Sequence, residues 1–157
     1  MRAVIRRLAG LAPALAFVLS VLAVSEHAHA CRLTGVTALT FGVYDPSRGN
    51  LDTTGTVSIL CSSSTSGAFT VDISQDSFGS FSPRRLVSGA YKLDYNVYRD
   101  AARTLIWGDG SAGTVRYGPT NPVANVTINL TMFGRVPGNQ FVAPADYAGT
   151  LTVTLTY

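Results

Sequence analysis

Thr150-Leu151-Thr152-Val153-Thr154-Leu155-Thr156-Tyr157 is the stretch whose reading decides the fold. Threonine and apolar side chains alternate through all of it, the period-2 pattern of a strand with one buried face. From Ala148 to Tyr157 there is no charge and no proline. Proteins ordinarily guard an exposed strand edge with lysine, proline or an inward charge. Two readings of this strand follow. In one it is a central strand, paired on both sides by other parts of the chain. In the other it awaits a strand from another protein.

The same alternation recurs upstream. Val57, Ile59 and Cys61 share one phase, with Thr56, Ser58 and Leu60 in the other. Phe69, Val71 and Ile73 alternate with Thr70, Asp72 and Ser74. Leu93, Tyr95 and Val97 alternate with Lys92, Asp94 and Asn96, and Val126, Ile128, Leu130 and Met132 with Thr127, Asn129 and Thr131. An opening strand is expected near Val36–Phe41, and a short one at Thr104–Trp107. Turn signals separate the runs: residues 45–50, residues 62–67, Gly108-Asp109-Gly110, Gly118-Pro119 and Pro137-Gly138-Asn139. Many short strands and no helical period predict an all-β chain, an antiparallel sandwich of immunoglobulin-like topology.

Residues 1–30 read as a secretory signal peptide. Arg2, Arg6 and Arg7 form the basic n-region, Leu11–Val24 the apolar core, and Ala28-His29-Ala30 a small-residue cleavage site before Cys31. A cut after Ser25 is the alternative. The apolar run is short for a transmembrane helix. The expected domain is therefore 31–157, exported through the periplasm to the cell surface, a fimbrium or the medium, with no stable membrane insertion once the leader is cleaved. Cys31 and Cys61, the only cysteines, make an even pair in an oxidising compartment, which favours a disulfide over two free thiols.

Composition narrows the chemistry. His27, His29 and Glu26 all fall in the leader, so residues 31–157 hold no histidine, no glutamate and a single lysine, Lys92. Without Arg2, Arg6, Arg7 and Glu26, nine basic residues face eight aspartates. That near-balance gives no electrostatic footprint for nucleic acid. Histidine-based triads cannot be built, and a zinc site without histidine and with only two cysteines is improbable. An aspartate pair is the only acid–base device left, and nothing places two aspartates together. No enzyme activity, cofactor or metal is expected.

Other residues carry two readings each. Trp107, beside Gly108-Asp109-Gly110, fits an exposed adhesive loop, although packing in the core suits tryptophan better. Arg84-Arg85 with Arg99 and Arg103 reads as an anion patch or, preferably, as solvated surface. Tyr44, Tyr91, Tyr95 and Tyr98 suit sheet faces better than sugar stacking. Asp45, Asp52, Asp100 and Asp109 fall in or beside turns, where aspartate bonds the local backbone.

Several stretches, in order, resemble the spore coat protein U domain family, whose domain also forms subunits of archaic chaperone–usher pili. They are Phe41-Gly42-Val43-Tyr44-Asp45-Pro46, Thr54-Gly55-Thr56-Val57 leading to Cys61, residues 93–100, and Trp107-Gly108-Asp109-Gly110. Gly134-Arg135-Val136-Pro137 with Gln140, and Tyr147 heading the terminal strand, complete the set. The resemblance implies an incomplete immunoglobulin-like sandwich lacking its final strand. It also implies a Cys31–Cys61 disulfide joining the first two strands. A periplasmic chaperone would lend the missing strand, and a neighbouring subunit would replace it at the usher. The donor-strand groove would be lined by Val36, Leu39, Phe41, Leu151, Val153 and Leu155.

Two departures stand out. No alternating donor segment lies between the expected cleavage site and Cys31, which suits a tip-side or terminal subunit, and Gly149 stands where the family pattern has aspartate. The reading is therefore a structural subunit of a secreted surface fibre, with chaperone, usher and other pilus subunits as partners. The alternatives are a spore-coat or extracellular-matrix protein, or a surface- or glycan-binding adhesive module.

Overall fold

The computed structural model describes residues 31–62 and 67–157. The expected signal peptide, 1–30, lies outside the described residues. Eight strands form: β1 (Cys31–Thr37), β2 (Leu51–Cys61), β3 (Phe69–Ile73), β4 (Arg84–Ser88), β5 (Tyr91–Tyr98), β6 (Tyr117–Thr120), β7 (Val126–Val136) and β8 (Val153–Thr156). They build two antiparallel sheets, one ordered β1-β2-β7-β5-β4 and the other β6-β3-β8. A 3₁₀ turn at Pro46–Arg48 is capped by the Asp45 carboxylate, which accepts from the Ser47 N–H.

The β2–β7 ladder, in register from Leu51↔Val136 to Cys61↔Val126, is the spine of the larger sheet. Its inward phase carries Val57, Ile59, Cys61, Leu130, Met132 and Val136, all buried. Phe69, Val71 and Ile73 of β3 face them from the smaller sheet. Trp107 sits between the two sheets. Its backbone N–H donates to the Val97 carbonyl at 2.9 Å and its Nε1 to the Val71 carbonyl at 2.9 Å. Buried to 1% exposure, it does not project from an adhesive loop; both of its polar hydrogens are satisfied inside the sandwich. The short strand expected at Thr104–Trp107 reduces to isolated bridges from Ile106 to Tyr98 and from Trp107 to Val115.

Arg84 reverses its expected surface position. It is fully buried, and its guanidinium donates to the Asn96 side chain (2.8 Å), the Trp107 carbonyl (2.7 Å) and the Ser74 carbonyl (2.9 Å). Burial pulls it down to about 10, with no carboxylate in direct contact, so carbonyl dipoles hold the charge. Its neighbour Arg85 pairs with Asp76, whose side chain is also buried. Burial raises the Asp76 carboxyl, but the Ser80 N–H, the Arg85 guanidinium and the Phe78 N–H outweigh it and hold it below 3.8. Arg99 donates to the Arg116 carbonyl and Arg103 pairs with Asp52, so the four arginines form no common patch. Asp52 lies in β2 rather than in a turn, and Arg135 clamps it with two hydrogen bonds of 2.7 and 2.8 Å.

The chain touches both sheets around the terminal alternation. Ala148 exchanges both backbone hydrogen bonds with Val87 of β4, at 2.8 and 3.0 Å. The chain then crosses to the smaller sheet, where β8 pairs with β3 from Ile73↔Val153 to Thr70↔Thr156. The alternation itself thus serves the smaller sheet, and only four residues register as β8.

Candidate functional site

The first strand begins five residues earlier than the alternation suggested. Cys31 pairs directly with Cys61, and the two form a disulfide. A bulge at Thr34 then shifts the register, so that Leu33 opposes Ile59 and Val36 opposes Val57. Directly opposed residues share a sheet face. Cys31, Leu33 and Val36 therefore belong to the core-facing row, and without the bulge that row would have carried Gly35 instead of Val36.

Part of this row is bare. Ile59 and Val57 are fully buried, yet their β1 partners Leu33 and Val36 are 37% and 53% exposed. Cys31 in the same row is buried, so among the described residues the uncovered part of the inner face of β1 is that of Leu33 and Val36. Across the gap stands β8, whose sole ladder partner among the described residues is β3, which makes it an edge strand. Val153 and Leu155 oppose Ile73 and Val71, hence also face inward, and both are only half-buried. Between β1 and β8 runs a cleft of about 390 Å³, lined by Cys31, Arg32, Leu33, Val153, Thr154, Leu155 and Tyr157. The terminal strand is an edge strand; the central-strand reading does not hold.

The other sheet margins are closed. β4 is joined to Ala148. β6 is short and contains Pro119, which has no N–H to offer a new neighbour. Among the described residues, the pair of edges flanking the cleft is thus the margin left without a blocking device.

Of the six residues expected to line a groove, Val153 and Leu155 line the cleft, and Val36 lies on the same inner row of β1. Leu151 is half-buried against the core just before β8. Leu39 and Phe41 lie beyond the end of β1 and plug hollows in the larger sheet. Leu39 covers Gly55, where an added Cβ would stand 2.9 Å from Met132 Cε and 3.3 Å from Leu39 Cδ2. Phe41 covers Gly134, at 2.9 Å from an added Cβ, and meets the Tyr95 ring edge-on at 5.9 Å. Leu33, Arg32 and Tyr157 were missed. Placing Cys31 in the first strand would have found Leu33, since it follows Cys31 by one strand period.

Tyr44 and Gln140, from two stretches that carry the family resemblance, tie their loops together. Gln140 receives the Asp94 N–H on its side-chain oxygen and donates to the Asp94 and Pro137 carbonyls. The Tyr44 hydroxyl donates to the Pro137 carbonyl and accepts from the Gln140 N–H, both at 2.9 Å.

Among solved structures, the chain is similar to one in the crystal structure of the CsuC-CsuE chaperone-tip adhesion subunit pre-assembly complex from archaic chaperone-usher Csu pili of Acinetobacter baumannii. The TM-score is 0.51 at 19% identity, over 81% of this chain and 39% of that one. The likeness is one of fold, and this chain spans about two-fifths of that chain's length. No curated protein matches the sequence. The family model for the Spore Coat Protein U domain matches residues 17–154, beginning inside the expected leader and ending within β8. With nearly the whole sandwich inside that match, the chain belongs to the Spore Coat Protein U domain family.

Proposed function

We propose that this chain is a structural subunit of a chaperone–usher surface fibre, and that the cleft between β1 and β8 accepts a donated strand. The observation that carries the reading is the bare inner row of Leu33 and Val36 opposite the edge strand β8. An extended segment laid there gains main-chain hydrogen bonds from a sheet edge, and its alternate side chains fill the space above Leu33 and Val36. A chaperone strand would occupy the cleft first, and a neighbouring subunit's strand would replace it at the usher. Burial of Trp107 weighs against that residue as the contact of an adhesive module.

The test is co-expression in the periplasm with a periplasmic chaperone of an archaic chaperone–usher system, read by native mass spectrometry. The expected species is a one-to-one complex that Leu155→Asp abolishes, because a carboxylate would then face the incoming apolar side chains. A stable folded monomer that ignores the chaperone would overturn the reading and favour a coat or matrix role. The finer reading, a tip-side or terminal place, expects the complex to accept a subunit's donor strand while a mixture of pure copies builds no fibre.

A further inference from the structure

A second cavity, about 340 Å³, adjoins β8 on its outer side and is lined by Asp72, Ile73, Ser74, Gln75, Phe81, Asp109 and Thr154. Thr154 lines both this cavity and the cleft. Asp72, on β3, stands directly opposite Thr154. Its Oδ2 pairs with Arg116 at 3.2 Å, while its Oδ1 is buried without a hydrogen-bond partner. The Asp109 carboxylate is already engaged by the Ser111 N–H and hydroxyl. Arg116 Nε and Nη2 also donate to the Asp109 backbone carbonyl. The cavity lining thus sets two carboxylates, Asp72 and Asp109, against one neighbouring guanidinium. Burial raises the Asp72 carboxyl and Asp109 raises it further, against the pull of Arg116.

A buried acceptor without a donor is a costly arrangement that a ligand can relieve. One unpaired carboxylate oxygen is too few for a divalent cation, which takes six or more. A single ammonium or guanidinium fits. Strands lie about 4.8 Å apart, so a segment beside β8 runs roughly 10 Å from β3. Its residue flanking Thr154 points to the same outer face, and an extended lysine or arginine spans that remaining distance.

We propose that the Asp72 cavity receives a basic side chain carried on the outer face of the strand that occupies the cleft. This rests on the strand-accepting reading above. The site would then select among donor strands by charge, in addition to the apolar row that selects by shape.

The test uses nine-residue peptides of alternating valine and threonine, bound to the chain with its disulfide intact and read by fluorescence anisotropy. One outward threonine at a time is replaced by lysine, or by glutamate in a matched set. At one position lysine is expected to bind about tenfold tighter than threonine, as a charge-assisted hydrogen bond gives, and glutamate weaker. Asp72→Asn is expected to bring lysine and threonine within about twofold and leave the all-threonine peptide unchanged, while Asp109→Asn keeps a lysine preference. Equal binding of lysine and threonine at every position overturns the charge selection alone, as does a preference that survives Asp72→Asn. Failure of every peptide to bind overturns the strand-accepting reading, and this inference with it.

Discussion

Replacing Arg84 with methionine keeps much of the side chain's length but removes every donor. The backbone carbonyls of Ser74 and Trp107 then lose their guanidinium partner inside the protein, and the Asn96 oxygen keeps only the Val97 N–H. A buried acceptor stripped of its partner costs about 1–3 kcal/mol. Two full losses and one partial loss come to about 3–5 kcal/mol, in the range for breaking a buried charged group's contacts. An apolar replacement can offset such a loss when the partners are also made apolar, but backbone carbonyls cannot be mutated away. Whole domains are stable by about 5–15 kcal/mol, so the variant should sit near the edge of folding. The assay is urea unfolding followed by tryptophan fluorescence, because the sole tryptophan, Trp107, is bonded to this same network. At about 2 kcal/mol per molar urea the midpoint should fall by roughly 2 M. Arg84→Lys should keep most of the loss, since a single ammonium cannot serve Asn96, Trp107 and Ser74 in a fork. A loss under about 1 kcal/mol in Arg84→Met, or full rescue by lysine, would refute the reasoning.

Reducing the Cys31–Cys61 disulfide, separated by 30 residues, should cost about 3–4 kcal/mol in urea titrations with and without dithiothreitol. Gly134→Val should destabilise by about 1–3 kcal/mol, measured by thermal melting, because the new side chain meets Phe41 and Thr53 Cγ2. Acid titration should show stability falling as pH drops below 3.8. Asp52 is lowered by the Arg135 hydrogen bond against burial, and Asp76 is lowered despite burial; both are ionised partners whose contribution exists above that pH and disappears through their lower folded values. Asp72 has the opposite sign: its raised folded value favours the fold in acid and opposes it as pH rises, so Asp72→Asn should steepen the net acid loss.

The strands with clean alternation were legible because one face is buried and the other is not. Phe69–Ile73 matches its expected span, and the runs containing Val57, Tyr95 and Leu130 each extend by only a few residues. β4 was not legible, since it opens with two arginines, and sequence alone gives no sign that one of them lies among carbonyls. β6 was hidden by Gly118-Pro119, which marks a turn in most contexts but suits a blunt edge strand here. The opening strand was misplaced because Leu39 and Phe41 continue an apolar rhythm after leaving the sheet to plug Gly55 and Gly134. The cleft was half legible. Val153 and Leu155 were evident from period alone, whereas Leu33 was missed with the Cys31 start of β1, and the inward facing of Val36 depends on a bulge that no local residue pattern announces. Asp72 was seen as the polar phase of a strand, and its orphaned oxygen arises only from the tertiary approach of Arg116 and Asp109.

The closed margins bear on the shape of whatever this chain joins. With β4 sealed by Ala148 and β6 blunted by Pro119, β1 and β8 border one and the same gap. On the proposed strand-accepting reading, this monomer has, in the vocabulary of polymer chemistry, an accepting valence of one, so a fibre joined through it would run or end as a single thread rather than branch or cross-link into a gel.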